Sequence, residues 1–77
     1  MSAGAEILDA RGLKCPLPVL KTEKSLAALP AGGRLDVLAT DTVARLDIPL
    51  YCRQHGHACD VMAMDGGFRF AITKAGA

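Results

Sequence analysis

Two prolines separated by one residue, Pro16 and Pro18, restrict the conformation of this chain more than any other local feature. A proline has no backbone N–H to donate, so an α-helix accommodates it best in the first turn. Beyond this pair, apolar and small residues recur at helical spacing: Val19, Thr22, Leu26 and Leu29. The segment predicts a helix that begins at the two prolines and ends at Pro30 and the glycines at 32–33.

Four other segments have the short or alternating apolar pattern that is typical of β-strands. They are residues 6–9, 34–40, 58–64 and 68–74. In the second of them, Leu35 and Val37 alternate with Arg34 and Asp36, which predicts a strand with one buried face. The last two are joined by Asp-Gly-Gly at positions 65–67, which favours a hairpin turn.

A second helix is predicted between the second and third strands, ending near His55 with Gly56 just beyond it. Its start is open by one turn, because either Asp41 or Asp47 can cap it. Pro49 then lies near its beginning. The complete order of elements is βαβαββ.

This order predicts an α/β (α+β) two-layer sandwich with two helices on one face of a four-stranded mixed sheet. We expect the first two strands to be parallel, joined through the first helix. The 77 residues are predicted to form one domain, 1–77, with an ordered core at about 6–74. A chain this short buries only about 60% of its surface on folding. It has little room for a large internal cavity, so we expect it to function at its surface.

Charge and composition exclude several classes of function. Nine Lys and Arg against eight Asp and Glu give a net charge of +1, so strong nucleic-acid binding is not expected. No apolar run is long enough to span a membrane, and the N-terminus does not resemble a signal peptide. We therefore expect a cytoplasmic protein without membrane insertion. Its three cysteines are not expected to form a stable disulfide there.

Cys15 lies between a polar loop and the first helix, where a thiol is expected to be activated. At the N-cap, its sulfur would lie beside the unpaired N–H groups of the first turn and the positive end of the helix dipole. Lys14 and Arg11 precede it and add positive charge. These effects predict a pKa below the usual value of about 8.5. Pro16 and Pro18 are expected to hold the backbone around the sulfur.

The alternative is an inert cysteine that happens to precede a helix, since free cysteines are often buried. The residue three beyond Cys15 is Pro18, so the segment is not a dithiol redox pair. A single activated thiol without a neighbouring partner is suited to carrying one sulfur atom as a persulfide.

Residues 8–20, Leu-Asp-Ala-Arg-Gly-Leu-Lys-Cys-Pro-Leu-Pro-Val-Leu, resemble the signature segment of the TusA/SirA-like sulfur-carrier family. Later blocks resemble that family's second half at matching spacing: Ala39-Thr40-Asp41, Asp47-Ile48-Pro49, Cys52-Arg53 and Gly56-His57. The match covers the chain from about 7 to 74. The Cys-Pro-x-Pro element is weak by itself, but the later blocks in register make the resemblance specific.

The resemblance implies the same βαβαββ sandwich and, without a bound cofactor, sulfane sulfur carried on Cys15. The donor would be a cysteine desulfurase or a rhodanese-type enzyme, and a downstream protein would accept the sulfur. In some members the relay ends in 2-thiolation of tRNA wobble uridine; others serve sulfur oxidation, molybdenum-cofactor supply or thiosulfate uptake. Asp9 and Gly12 lie in the matched segment and are expected to support the thiolate loop. Thr42 and Ala58 depart from the family pattern, so the resemblance does not specify the acceptor.

Two alternative functions use other features of the sequence. Cys52, His55, His57 and Cys59 are all possible zinc ligands within eight residues, although their spacing is tighter than that of most structural zinc sites. Their alternative roles are a core cysteine, a helix-end histidine and residues of a strand. The chain could also be a regulatory or RNA-binding adaptor in which Cys15 is only structural, although its charge argues against RNA.

Overall fold

The structure, a computed structural model, describes residues 6–76 and confirms the predicted βαβαββ order. Its elements are β1 Glu6–Asp9, α1 Leu17–Ala27, β2 Arg34–Ala39, α2 Ala44–Gln54, β3 Ala58–Met64 and β4 Gly67–Thr73. The predicted bounds of β1 and β3 are those observed. β2 ends one residue earlier than predicted, and β4 both begins and ends one residue earlier. No helix in the described range is long and apolar enough to cross a membrane.

The four strands form one mixed sheet in the order β1-β2-β4-β3. β1 and β2 are parallel, as predicted, with Leu8 opposite Val37. β4 is antiparallel to both of its neighbours, and Phe70 lies between Val37 of β2 and Val61 of β3. α1 packs on β1 and β2, α2 packs on β3 and β4, and the two helices contact each other. Both helices therefore cover the same face of the sheet, which confirms the predicted two-layer sandwich.

The core lies between the helices and the covered face of the sheet. Its largest fully buried side chains are Leu26, Leu35, Val37, Ile48, Cys52, Phe70 and Ile72. Thr22 of α1 is also buried, and its hydroxyl donates a hydrogen bond of 2.8 Å to the carbonyl of Pro18. Val19 and Leu29, which share the predicted apolar stripe of α1, are only half-buried at the edge of the core.

The start of α2 differs from both sequence-based alternatives. The helix begins at Ala44, so Asp47 lies in its first turn and Pro49 lies inside the helix. Asp41 instead stabilises the turn before the helix, where its Oδ1 accepts the N–H of Val43 at 3.1 Å. Neither aspartate is the N-cap, which leaves both carboxylates available for contacts with the loop before α1.

The uncovered face of the sheet contains a buried carboxylate that strand alternation alone predicts to be exposed. Asp36 is only 4% exposed because it forms ion pairs with Arg69 and, at 4.0 Å, with Arg34. The long arginine side chains cover it from solvent. Met62, which lies opposite Arg69 on the same face, is exposed, as is Met64.

Candidate functional site

The loop between β1 and α1 presents Cys15 at the surface, where its side chain is exposed. The loop turns at Gly12, whose φ of +83° is strained for residues with a Cβ atom. The Gly12 N–H donates to Thr40 Oγ1 at 2.9 Å, and the Cys15 N–H donates to Asp41 Oδ2 at 2.7 Å. Both acceptors directly follow β2, so the end of that strand holds the loop.

Cys15 lies one residue before the observed N-cap of α1 and not at the cap itself, where it was predicted. α1 begins at Leu17 with Pro16 as its N-cap, after a cis peptide bond between Cys15 and Pro16. The Leu17 N–H, one of the first-turn groups expected to lie unpaired beside the sulfur, donates instead to the carbonyl of Lys14 at 2.8 Å. The prediction of Cys15 as the N-cap is therefore wrong, because the turn from Lys14 to Leu17 satisfies this N–H within the backbone.

The nearest polar partner of the thiol is a carboxylate from α2. Cys15 Sγ donates a hydrogen bond to Asp47 Oδ2, with 3.2 Å between sulfur and oxygen. This hydrogen bond, partial desolvation and the negative charges of Asp47 and Asp41 raise the pKa of the Cys15 thiol above its usual value. The predicted lowering of the pKa is therefore wrong: nearby carboxylates disfavour the thiolate, and both come from a distant part of the chain.

Of the two positive charges expected to stabilise a thiolate, Arg11 is paired with a carboxylate of its own. Arg11 donates from Nε and Nη2 to the two carboxylate oxygens of Asp9, each at 2.8 Å. This pairing lowers the pKa of Asp9 to about 2, although both side chains are 53% exposed. The pKa of Asp41 is lowered chiefly by the Cys15 N–H and also by the charge of Lys14. A role for Asp9, Arg11 or Lys14 in sulfur transfer stays a prediction.

The possible zinc ligands on α2 and β3 are not assembled into a metal site. Cys52 is fully buried, Cys59 is half-buried and His55 is exposed. His57 Nδ1 accepts the N–H of Ala75 at 2.8 Å. Across residues 6–76, no three His, Cys, Asp or Glu side chains are grouped so that they could hold a metal ion. The structure therefore does not support the zinc-binding alternative.

The contact between Asp47 and Cys15 is the part of the site that local sequence does not predict. The two residues are 32 positions apart, and the local sequence around Asp47 indicates only a possible helix cap. The available signal was its presence in the Asp-Ile-Pro block of the family resemblance. Asp41 orients the loop before α1 by accepting the N–H of Cys15, a contact 26 positions away along the chain.

We expect alkylation of Cys15 by iodoacetamide to reach its half-maximal rate above the pH of about 8.5 that is usual for cysteine. Only the thiolate reacts, and the two carboxylates disfavour it. Mass-spectrometric peptide mapping after brief exposure at a series of pH values reports Cys15 separately from the other cysteines. A synthetic peptide of residues 9–20 is the control, because it keeps Arg11 and Lys14 but lacks Asp41 and Asp47. A midpoint in the folded protein at or below that of the peptide would contradict the expectation.

Comparison with known proteins identifies the family. The family model described as "Sulfurtransferase TusA" matches residues 6–74. A sulfur carrier protein TusA of Pseudomonas putida is 46% identical over 69 residues, which cover 88% of this chain and 86% of the relative. The corresponding protein of Allochromatium vinosum is 41% identical over 69 residues, covering 88% of this chain and 91% of the relative.

A solved structure supports the same assignment. The crystal structure of a SirA-like protein from Desulfitobacterium hafniense superposes with a TM-score of 0.78 at 30% sequence identity. The match covers 92% of this chain and 97% of that one. Fold, sequence and family model thus agree along the same stretch of residues: the chain belongs to the TusA sulfurtransferase family of sulfur carriers.

Proposed function

We propose that this sulfur carrier holds its cargo as a persulfide on Cys15 and passes it from a donor enzyme to an acceptor protein. The observation that carries the proposal is the exposed thiol of Cys15 on a loop held by Thr40 and Asp41. Cys52 is buried and Cys59 is half-buried. Of the three cysteines, Cys15 is therefore the most accessible to a protein partner.

The exchange balances without an oxidant or a reductant. The Cys15 thiolate attacks the terminal sulfur of a donor persulfide, the new S–S bond forms, and the donor's S–S bond breaks. The donor leaves as a thiolate and takes up a proton. An acceptor thiolate then attacks the same terminal sulfur, and Cys15 leaves in turn. Because the pKa of Cys15 is raised, only a small fraction of the empty carrier is reactive near neutral pH.

Exposed apolar side chains on both helices are suited to contacts with proteins rather than with small solutes. They are Leu17 and Leu20 of α1, and Val43, Leu46 and Leu50 in and before α2. Exposed apolar groups of this kind favour protein–protein association. A cysteine desulfurase or a rhodanese-type enzyme is the donor that we propose, with a downstream acceptor protein and the reducing cytosol as the location. The family relationship does not favour an adaptor or a zinc protein.

The proposal is tested by incubating the protein with a cysteine desulfurase and cysteine and then measuring its intact mass. We expect the mass to increase by one sulfur atom, and peptide mapping of the alkylated persulfide should locate that atom on Cys15. Treatment with dithiothreitol should restore the original mass, since a thiol removes sulfane sulfur by the same exchange. A protein that remains unmodified with the desulfurase and with a rhodanese supplied with thiosulfate would refute the proposal.

A further inference from the structure

The hydrogen bond between Cys15 and Asp47 requires a hydrogen atom on the cysteine sulfur. Sγ lies 3.2 Å from Asp47 Oδ2, and a carboxylate oxygen can only accept. When Cys15 becomes a persulfide, Sγ is bonded to the second sulfur and no longer carries a hydrogen. This contact can therefore be a hydrogen bond in the empty carrier but not in the loaded one.

We propose, on the basis of the persulfide function above, that Asp47 is a positioning residue that stabilises the empty carrier and so biases Cys15 towards releasing its sulfur. In the loaded carrier, the same oxygen would face lone pairs of Sγ and the negative charge of an ionised persulfide. Loading exchanges an attractive contact for a repulsive one. Release of the sulfur restores the hydrogen bond.

The surroundings of Cys15 allow its side chain to change partners while its backbone stays in place. The Cys15 N–H donates to Asp41 Oδ2 at 2.7 Å, and this bond does not depend on the state of the sulfur. Asp47 lies in the first turn of α2, and the residue that follows it, Ile48, is fully buried in the core. The carboxylate is thus attached to a packed helix, and the second sulfur must move away from it towards solvent.

The charges that act on the thiol agree with this interpretation. The carboxylates of Asp47 and Asp41 are the charged groups that raise the pKa of Cys15, and both disfavour an anion at this position. Lys14 is the cation that acts on Asp41, while Arg11 is paired with Asp9. The two carboxylates thus act on Cys15, while the charge of Arg11 is engaged by Asp9.

The equilibrium of sulfur exchange between Cys15 and a small persulfide directly measures the preference of Cys15 for its empty state. Mixing the protein with glutathione persulfide and glutathione at neutral pH sets up the equilibrium Cys15–SH + GS–SH ⇌ Cys15–S–SH + GSH. We expect the loaded-to-empty ratio, measured by intact mass, to rise about three- to tenfold in Asp47→Ala, the range of a typical hydrogen bond. Asp47→Asn, which retains an acceptor oxygen but no charge, should give a ratio between those of the wild type and Asp47→Ala.

Glu23→Ala is the matched control, because Glu23 is an exposed carboxylate on α1 and the change in net charge is the same. Its ratio should equal that of the wild type. The pH midpoint of Cys15 alkylation should fall in Asp47→Ala and not in Glu23→Ala, a shift that loss of packing would not produce. If Asp47→Ala does not fold, the loaded-to-empty ratio and the alkylation midpoint of Asp47→Asn test the role of Asp47 instead.

The possible results separate the two proposals. A wild-type protein that takes no sulfur from any donor refutes the persulfide function itself. A wild-type protein that loads on Cys15, together with folded Asp47 variants whose ratios lie within twofold of it, overturns only the role of Asp47. A ratio that rises equally in Glu23→Ala also overturns it, because a general effect of net charge would then explain the result.

Discussion

Serine in place of Cys15 will abolish the gain of sulfur from a cysteine desulfurase, the largest functional effect that we expect from any single substitution. A serine hydroxyl is not ionised near neutral pH and does not form a stable bond to sulfane sulfur. The side chain is exposed, and a hydroxyl can still donate to Asp47, so the fold should be retained. Intact mass after incubation with the desulfurase and cysteine is the measurement.

Cys59→Ser is the matched control for this experiment, because Cys59 is the half-buried thiol on β3. It should gain one sulfur atom as the wild type does. If the Cys15→Ser variant gains as much sulfur as the wild type, another cysteine is the carrier. If both variants gain no sulfur, loss of the folded state rather than loss of Cys15 explains the result. Circular dichroism of each variant before incubation separates these cases.

Alanine in place of Ile48 will lower the free energy of unfolding by about 2–5 kcal/mol, the range measured for large-to-small changes in cores. Ile48 has no exposed surface and joins α2 to the sheet, next to the turn that carries Asp47. Small domains are stable by only about 5–15 kcal/mol, so the variant should be close to unfolding at physiological temperature. Urea denaturation followed by circular dichroism measures the change.

Leu46→Ala provides the matched control within the same helix. Leu46 is 71% exposed, so its truncation creates no cavity and should alter the free energy of unfolding by no more than about 0.5 kcal/mol. Similar losses for the two variants would mean that burial along α2 is not as the structure describes it. A loss below about 1 kcal/mol for Ile48→Ala would have the same meaning.

The secondary structure could be predicted largely from sequence, because its signals are local. Alternation of apolar residues in 34–39, the Asp-Gly-Gly turn and the proline pair each act through a few neighbouring residues. The prediction was less accurate at the start of α2, where two possible caps compete. In the structure the helix begins at Ala44, and the Asp41 carboxylate instead accepts the N–H of Cys15 in the loop before α1.

The ionisation of Cys15 could not be predicted in the same way. Local sequence shows two preceding cations and a following helix, and both favour a thiolate. The structure adds Asp41 and Asp47, which folding brings from 26 and 32 positions away along the chain. Asp47 accepts a hydrogen bond from the thiol and Asp41 acts through its charge. Together they affect the thiol pKa more than the helix start does, because the Leu17 N–H donates to the carbonyl of Lys14.

The sequence by itself determined the order of the elements, the two-layer architecture and the cysteine that precedes the first helix, since periodicity and proline chemistry operate over short distances. Tertiary structure alone decided which charged groups surround that cysteine. The reason is physical: electrostatic effects on a pKa depend on distance in space, and only packing of α2 beside α1 brings Asp47 to the sulfur.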